Sequence, residues 1–311
     1  MTALVVQRLI AAVLTAFGVA ALGFSALNLA PGDQAESVAI ARYGTTGLTA
    51  ERIEQVRREN HLDLPPARRF QHWLRSAAMG DLGTSMVRGT TVVQEIRPRL
   101  WRSVELSGLA VGLSLSIAVP CGVWSAAREG GWFDRICRWA GLFGAAMPAV
   151  CIALGLMLVF SLWIPLFPVA GARGARSAVL PVTTLVIANA AWTLKLLRAS
   201  MLDVLRQPFI RAARARGFPQ PVILYRYALK AAAVPVVNLA GTQFLLLIEG
   251  SVLVETIFAW PGLGRLLVES ALARDYPVIL GCAIVFGFAC VAVNSAADVL
   301  SVWLDPRQAE S

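Results

Sequence analysis

Long apolar runs, each about as long as a bilayer is thick, constrain this chain more than any other feature. A transmembrane helix needs roughly 20 mostly apolar residues, and 57% of the 311 residues are hydrophobic while only 15% are charged. The runs cover residues 9–29, 104–124, 140–163, 179–197, 234–254 and 278–302. We therefore predict an all-α integral membrane protein with six transmembrane helices, the first retained and not cleaved as a signal peptide.

The hydrophilic segment 31–102 predicts a small helical cap outside the membrane, between the first and second spans. Thr49 can cap one helix, and Pro65 can begin another that ends at Gly80. Their apolar faces would carry Ile53 and Val56 in the first helix, and Phe70, Trp73 and Leu74 in the second. Residues 91–100 have the pattern of a helix lying on the membrane surface. The predicted division is thus 1–30, 31–102 and a core of 103–311.

The distribution of arginine and lysine predicts the orientation. Segments inside the cell are expected to be rich in these residues, and the two short outer loops hold only Arg173, Arg176, Arg265 and Arg274. Both termini are therefore predicted to be cytoplasmic. The same distribution accounts for much of the net charge of +9, so a nucleic acid partner is not indicated.

A basic island at residues 198–235 interrupts the apolar pattern between the fourth and fifth runs. Residues 201–216 have helical periodicity, and Gly217 is the residue expected just past a helix end, where φ turns positive. Pro219 or Pro221 can begin the next helix. The apolar side of the first helix would hold Leu202, Leu205, Phe209, Ala212 and Ala213. The island predicts a helix, a glycine elbow and a second helix outside the bilayer.

The segment Arg211-Ala212-Ala213-x-x-x-Gly217 resembles the loop by which permeases of ATP-binding-cassette importers seat in a cytoplasmic ATPase. In this chain Arg211 stands where the family pattern has an acidic residue. The resemblance implies a coupling loop at 198–230 and contacts with the ATPase from Asp203, Arg211, Ala212, Ala213, Gly217 and Phe218.

Other motifs resemble the peptide and nickel branch of the same permeases. They are Pro31-Gly32-Asp33, Leu62-Asp63-x-Pro65, the run from Gly80 to Ser85, and Glu255-x-x-Phe258-x-x-Pro261-Gly262-x-Gly264. In the last motif the resemblance implies an outer re-entrant gate built from Glu255, Phe258, Trp260, Pro261, Gly262 and Gly264. Such broken backbone is tolerated at membrane depth where protein or a water-filled cavity satisfies it; a plain surface turn is the alternative.

The resemblance also implies the partners. They are a second homologous permease, two cytoplasmic ATPase subunits and an extracytoplasmic binding protein, assembled in a bacterial inner membrane. The sequence contains no G-x-x-x-x-G-K-[ST] phosphate loop, so ATP and magnesium are expected on the ATPase subunits, with no catalytic residue and no cofactor on this chain. The substrate would be a peptide or a nickel or other metal chelate.

Few ionisable residues fall inside the runs. Asn238, Thr242 and Glu249 lie within about 40° of one another on a helix, and they predict either a translocation path or a helix interface. Asp298, one turn from Asn294, favours an interface. The rival class, an ion-coupled transporter or channel, would need Glu249 as its coupling group.

No metal site is predicted. His61 and His72, the two histidines, have a spacing that fits no ordinary ligand pair, and the five cysteines lack C-x-x-C spacing. Surface histidines and packing cysteines are the expectation.

Overall fold

The computed structural model describes residues 2–29, 31–172 and 174–304, without the side chains of residues 2–12, 27, 248–250, 298 and 301–304. Its regular elements in these ranges are helical, with one isolated bridge between Thr84 and Thr91. The helices are α1 (Thr2–Leu29), α2 (Gln34–Tyr43), α3 (Ala50–Glu59), α4 (Pro66–Ala78), α5 (Val92–Ala127), α6 (Trp132–Ala146), α7 (Ala149–Met157), α8 (Arg176–Leu205), α9 (Pro208–Ala215), α10 (Gln220–Val222), α11 (Leu229–Gly250), α12 (Val252–Ile257), α13 (Leu263–Leu272) and α14 (Tyr276–Leu304). Two π-helical turns, Leu158–Trp163 and Ile223–Ala228, continue α7 and join α10 to α11.

Four helices are long and apolar enough to cross a membrane. They are Val92–Ala127, Arg176–Leu205, Gln220–Leu247 and Tyr276–Ala297, and the pair Trp132–Ala146 with Ala149–Trp163, bent by 99°, counts as a fifth if it is one span. Within α1, Val13–Ala26 is a shorter apolar helix among the described side chains. The predicted all-helical membrane architecture is confirmed, with four or five candidate spans.

The chain divides into two compact units. The first contains residues 1–103 and 261–291, and it includes residues 31–102, the predicted cap. One of its clusters joins α2 and α3 to the turn after α4, through Ala35, Val38, Ala39, Val56 and Met86. Another packs the start of α5 on α13 and the start of α14, through Val92, Ile96, Leu263, Leu266, Val278 and Cys282.

The predicted helices of the cap are present. Thr49 caps α3 by accepting a hydrogen bond from the Arg52 N–H at 3.3 Å, and Pro65 precedes α4, which buries Trp73. Helix α2 was not predicted, although Asp33 is a good N-cap and accepts from the Ala35 N–H at 2.9 Å.

The second unit contains residues 104–260 and 292–311. One cluster gathers around α7, α8 and α12, and includes Leu106, Ala153, Leu185, Val254, Phe258 and Trp260. The other gathers around α8, α9 and α11, and includes Val123, Leu197, Met201, Ile210, Ile223 and Ala228. The second cluster is the base on which the basic island rests.

Three predicted boundaries are wrong. The run 140–163 is not one straight helix, because Pro148 disfavours helical backbone at Met147, which is extended (φ −82°, ψ 126°). The run 91–100 is not a separate surface helix, since α5 continues through it without a break, with Ile96 buried. The fifth apolar run does not begin a new helix near 234, because the helix that contains it already starts at Gln220.

Candidate functional site

The basic island is organised by a helix break that the sequence analysis missed. Periodicity predicted one helix over 201–216, whereas α8 ends at Leu205 and α9 begins at Pro208. Gln207 is extended (φ −68°, ψ 151°), and Pro208 suits the first turn of a helix. The buried face of α9 is therefore Ile210 and Ala213, which are 0% and 6% exposed. The predicted inward positions Phe209 and Ala212 are exposed.

Gly217 forms the predicted elbow. Its φ is +78°, and its N–H donates to the Arg214 carbonyl at 3.0 Å. The next N–H, of Phe218, donates to the Ala213 carbonyl at 3.3 Å, which closes the end of α9. Phe218 then packs its ring against Tyr227, with centroids 5.7 Å apart. The elbow thus turns the chain back toward the helix that contains α11.

The outward surface of the island combines aromatic and basic groups. Ile210 and Ala213 hold α9 on the protein, so the opposite side of the short helix faces away from it. The exposed side chains are Phe209, Arg211, Ala212, Arg214, Arg216 and Phe218, and Asp203 near the end of α8 is exposed as well. An exposed patch of this kind on a fixed base is typical of a protein docking surface.

A buried ion pair lies just before the island, and sequence reasoning missed it. The carboxylate of Asp134 in α6 is fully buried and accepts from the Arg198 Nη2 at 2.9 Å, from the Gly130 N–H at 3.0 Å and from the Ser125 hydroxyl. Arg198, the first residue of the basic island, is thus paired inward with α6. The only sign of this ion pair in the sequence was Asp134, a lone aspartate in a basic loop.

A second missed feature is a polar layer between α8 and α11. Thr193 donates its hydroxyl to the Gln243 Oε1 at 3.1 Å, and Gln243 Nε2 donates to the Asn189 carbonyl at 3.3 Å. All three side chains are buried. Amides and hydroxyls between apolar helices commonly bridge them in this way. Gln243 therefore marks the face of α11 that packs on α8.

The predicted polar stripe lies on other faces of α11. Asn238 and Thr242 are exposed, and the Thr242 hydroxyl donates to the Asn238 carbonyl at 3.1 Å. The side chain of Glu249 lies outside the described residues, as does that of Asp298. Their assignment as path or interface residues stays a prediction.

The motif predicted as an outer gate begins with a tightly bonded turn. Ser251 ends α11, and its hydroxyl donates to Glu255 Oε1 at 2.8 Å, with both residues buried. The Trp260 N–H donates to the Glu255 carbonyl at 2.7 Å, and the Phe258 carbonyl accepts from the Gly171 N–H at 2.8 Å. Phe258 and Trp260 are buried, as are Gly262 and Gly264 in the first unit, while Pro261 is half-buried.

The adjacent residues Arg274 and Asp275 bind two separate segments of residues 31–102. Asp275, 1% exposed, accepts hydrogen bonds from the Ser85 hydroxyl, the Met86 N–H at 3.1 Å and the Val87 N–H at 3.4 Å. The Arg274 guanidinium donates to the Pro31 and Gly32 carbonyls. Two stretches quoted for the family resemblance, Pro31-Gly32-Asp33 and the run from Gly80 to Ser85, are therefore held by Arg274 and Asp275, which gives them a structural role.

Two arginines of the cap differ in how their charge is accommodated. Arg42 donates to Glu59 at 2.8 Å, and this hydrogen bond holds the pKa of the Glu59 carboxyl below its usual value. Arg69 in α4 is buried, and burial lowers the pKa of its guanidinium, which nevertheless stays charged as arginines in proteins do. Among the described residues, no group of three or more histidine, cysteine, aspartate or glutamate side chains could hold a metal ion.

Comparison with known proteins gives the class of this chain. Residues 118–310 match the family described as the binding-protein-dependent transport system inner membrane component. The chain belongs to this family. The predicted permease subunit of an ATP-binding-cassette transport system is thereby confirmed.

Individual relatives extend the match to the whole chain. A glutathione transport system permease protein of Pectobacterium atrosepticum is 36% identical over 305 residues, covering 97% of both chains. A protein of Brucella abortus, provisionally named a peptide transport system permease protein, is 35% identical over 99% of both. The crystal structure of an amino acid ABC transporter with histidines has the same fold over 67% of this chain and 94% of its own, with a TM-score of 0.53 and 15% identity.

Proposed function

We propose that this chain is one of two membrane subunits through which an ATP-driven importer takes up small peptides. Support for the substrate class comes from full-length relatives whose names assign them to glutathione and peptide transport. The nickel alternative rests on the family resemblance alone. In the proposed assembly, two cytoplasmic ATPase subunits hold the ATP and magnesium, and an extracytoplasmic binding protein delivers the peptide.

The proposed docking site for an ATPase subunit is the outward surface of α9 and the Gly217 elbow. The observation that carries this proposal is the exposure of Phe209 and Arg211 on a helix in which Ile210 is fully buried, together with the exposure of Phe218 just after the elbow. Closure of the ATPase pair would displace this loop and, through the continuous helix from Gln220, move α11 so that the path opens outward. Asn238, Thr242 and Glu249 are the candidate path-lining residues.

The proposed topology has six spans with both termini in the cytoplasm. The spans would be α1, α5, the bent pair of α6 and α7, α8, the helix from Gln220 and α14. The cap between α1 and α5 would then lie outside, where it and the outer loops could receive the binding protein. The concentration of arginine around α9 supports this orientation.

The proposal is tested by uptake into vesicles that contain all subunits. Uptake of trialanine or glutathione should require ATP at the ATPase face and should be insensitive to a protonophore. A matched preparation with an ATPase variant that binds but does not hydrolyse ATP should take up neither. Uptake that ignores ATP but collapses with the proton gradient would establish the rival, an ion-coupled transporter.

A further inference from the structure

The cap contains a cavity of about 340 Å³ that the proposed transport path does not use. Its walls come from the end of α3, the loop between α3 and α4, α4 itself, the turn that follows α4 and the start of α14, all within the first unit. Trp73 and Tyr276 supply aromatic surface, and Arg69, Asp81 and Glu59 supply charge. The volume is at the lower end of the range for small-ligand pockets, roughly 300–1,000 Å³.

Arg69 is the unusual member of the lining. It is only 8% exposed, and among the described residues no carboxylate lies within ion-pair distance of it. Its Nη1 donates to the Gln34 side chain at 2.9 Å and its Nη2 to the Asn28 side chain, while Nε has no partner. A guanidinium has five N–H donors, so the bonds found use only part of its capacity. Buried charges are normally paired.

Aromatic rings fix the guanidinium without neutralising it. The rings of Phe24 and Tyr276 lie 5.8 and 5.9 Å from the Arg69 Cζ, which is cation–π distance. A guanidinium held in this way is preorganised to bind a carboxylate, because its planar N–H donors match the two carboxylate oxygens.

The same cavity is also lined by a carboxylate, that of Asp81, which has no ion-pair partner among the described residues. Asp81 accepts from the Gly83 N–H at 2.9 Å, and no cationic side chain lies within ion-pair distance of it among the described residues. Glu59, the other acidic lining residue, is already paired with Arg42. The cavity therefore presents one unopposed positive group and one unopposed negative group.

We propose that this cavity binds a small zwitterionic peptide, with its carboxylate toward Arg69 and its ammonium group toward Asp81. The inference rests on the proposed function, and it adds a subsite in the cap for the free termini of the transported peptide. Because Arg69 is only 8% exposed, a group that binds it would have to enter the cavity, whose volume of about 340 Å³ suits a small molecule. Trp73 and Tyr276 would contact the peptide side chains.

The test measures peptide binding by the intact transporter without the binding protein and without ATP. The probes are trialanine, its C-terminal amide and its N-acetyl derivative, followed by ligand-observed NMR or calorimetry. Trialanine should bind about tenfold more tightly than either blocked peptide, because each block removes one charge-assisted hydrogen bond.

Variants assign the binding to the cavity. Arg69→Gln should abolish the preference for trialanine over the amide, and Asp81→Asn should abolish the preference over the acetylated peptide. The asparagine retains an oxygen that can accept from Gly83, so this second variant keeps the turn intact if Arg69→Gln disturbs the cap. Arg68→Gln is the matched control, because Arg68 is the exposed neighbour on the same helix, and it should leave all three affinities unchanged.

Two results would overturn the inference. Equal affinity for the three peptides, with ATP-dependent uptake intact, would remove the subsite and leave the proposed function standing. Loss of binding-protein docking in Asp81→Asn, with peptide affinity unchanged, would assign the cavity to a protein partner instead.

Discussion

Gly217 and Asp134 show how single residues set the geometry of the basic island, the proposed coupling loop. The first works through its backbone, since φ is +78° and no atom lies within 4 Å of the position that a Cβ would occupy. The second works through its carboxylate, which joins α6 to α8 by way of Arg198. The backbone conformation at Gly217 and the buried charge of Asp134 can therefore be tested separately.

Replacing Gly217 by alanine should weaken the coupling of ATP hydrolysis to uptake. The space is free, so the cost is conformational, about 1–2 kcal/mol for an L-residue held at positive φ. Gly217→Asn should cost less, because asparagine tolerates this region. Gly155→Ala is the matched control, since that glycine has equally free space in a helix without positive φ. The ratio of uptake to ATP hydrolysis measures the coupling, and equal effects of the two alanine substitutions on it would refute the role of the elbow.

Removing the charge of Asp134 should destabilise the protein strongly. Asp134→Asn leaves Arg198 without its buried partner, and breaking such a pair costs about 3–5 kcal/mol. Glu129→Gln removes a carboxylate paired with Arg206, but those side chains are 52% and 69% exposed, so the cost should stay below about 1 kcal/mol. Thermal unfolding of the purified variants measures both, and similar melting temperatures would contradict the assignment.

At the scale of helices, features that depend on neighbouring residues were predicted correctly, whereas the break between α8 and α9 was not. The apolar runs, the Thr49 cap and the Gly217 elbow depend on residues close in sequence, so composition and spacing suffice to predict them. The break at Gln207 was missed because periodicity continues across it, although Pro208 was visible. The inward partner of Arg198 lies 64 residues away in sequence, a distance that no local pattern spans.

Helix α11 shows the same limit in the candidate path. Spacing placed Asn238 and Thr242 on one stripe, and both are exposed in the structure. Spacing alone does not tell which polar residue faces a neighbouring helix, and Gln243, one residue along, does so. The packing face and the predicted path face of α11 are therefore adjacent but distinct.

Substitutions at Gln243 and Thr242 should separate these faces. Gln243→Leu removes the bonds to Thr193 and Asn189, and interhelical bonds of this kind average about 0.6 kcal/mol, reaching about 1.7. Its main effect should be a lower melting temperature. Thr242→Val should leave the melting temperature unchanged and alter the rate of peptide uptake. A stability loss at Thr242 with none at Gln243 would reverse the assignment of the faces.

For the whole molecule, the proposed topology determines which loops meet which partners. Single cysteines, introduced into a variant that lacks the five natural ones, should show which side of the membrane each loop is on. Ala175 and Ala271 are exposed and should react with an impermeant thiol reagent from outside, whereas Gln220 should react only after the membrane is opened. Ser177 and Ser270, in the same segments, are 6% and 3% exposed and are poor positions for the reagent. Labelling of a cysteine at position 220 from outside would show that the orientation is the reverse of the proposed one.

The unbroken course of the helix from Gln220 to Gly250 has a mechanical consequence. At 1.5 Å per residue it is a strut of about 45 Å, and a tilt of about 5° at one end moves the other by about 4 Å. Two places can flex, the π-helical turn Ile223–Ala228 and the helix around Pro235. A push at the elbow then reaches Thr242 as a displacement, without any relay of side chains. The stiffness of the helix at those two places determines how much of the displacement at the elbow is transmitted to Thr242.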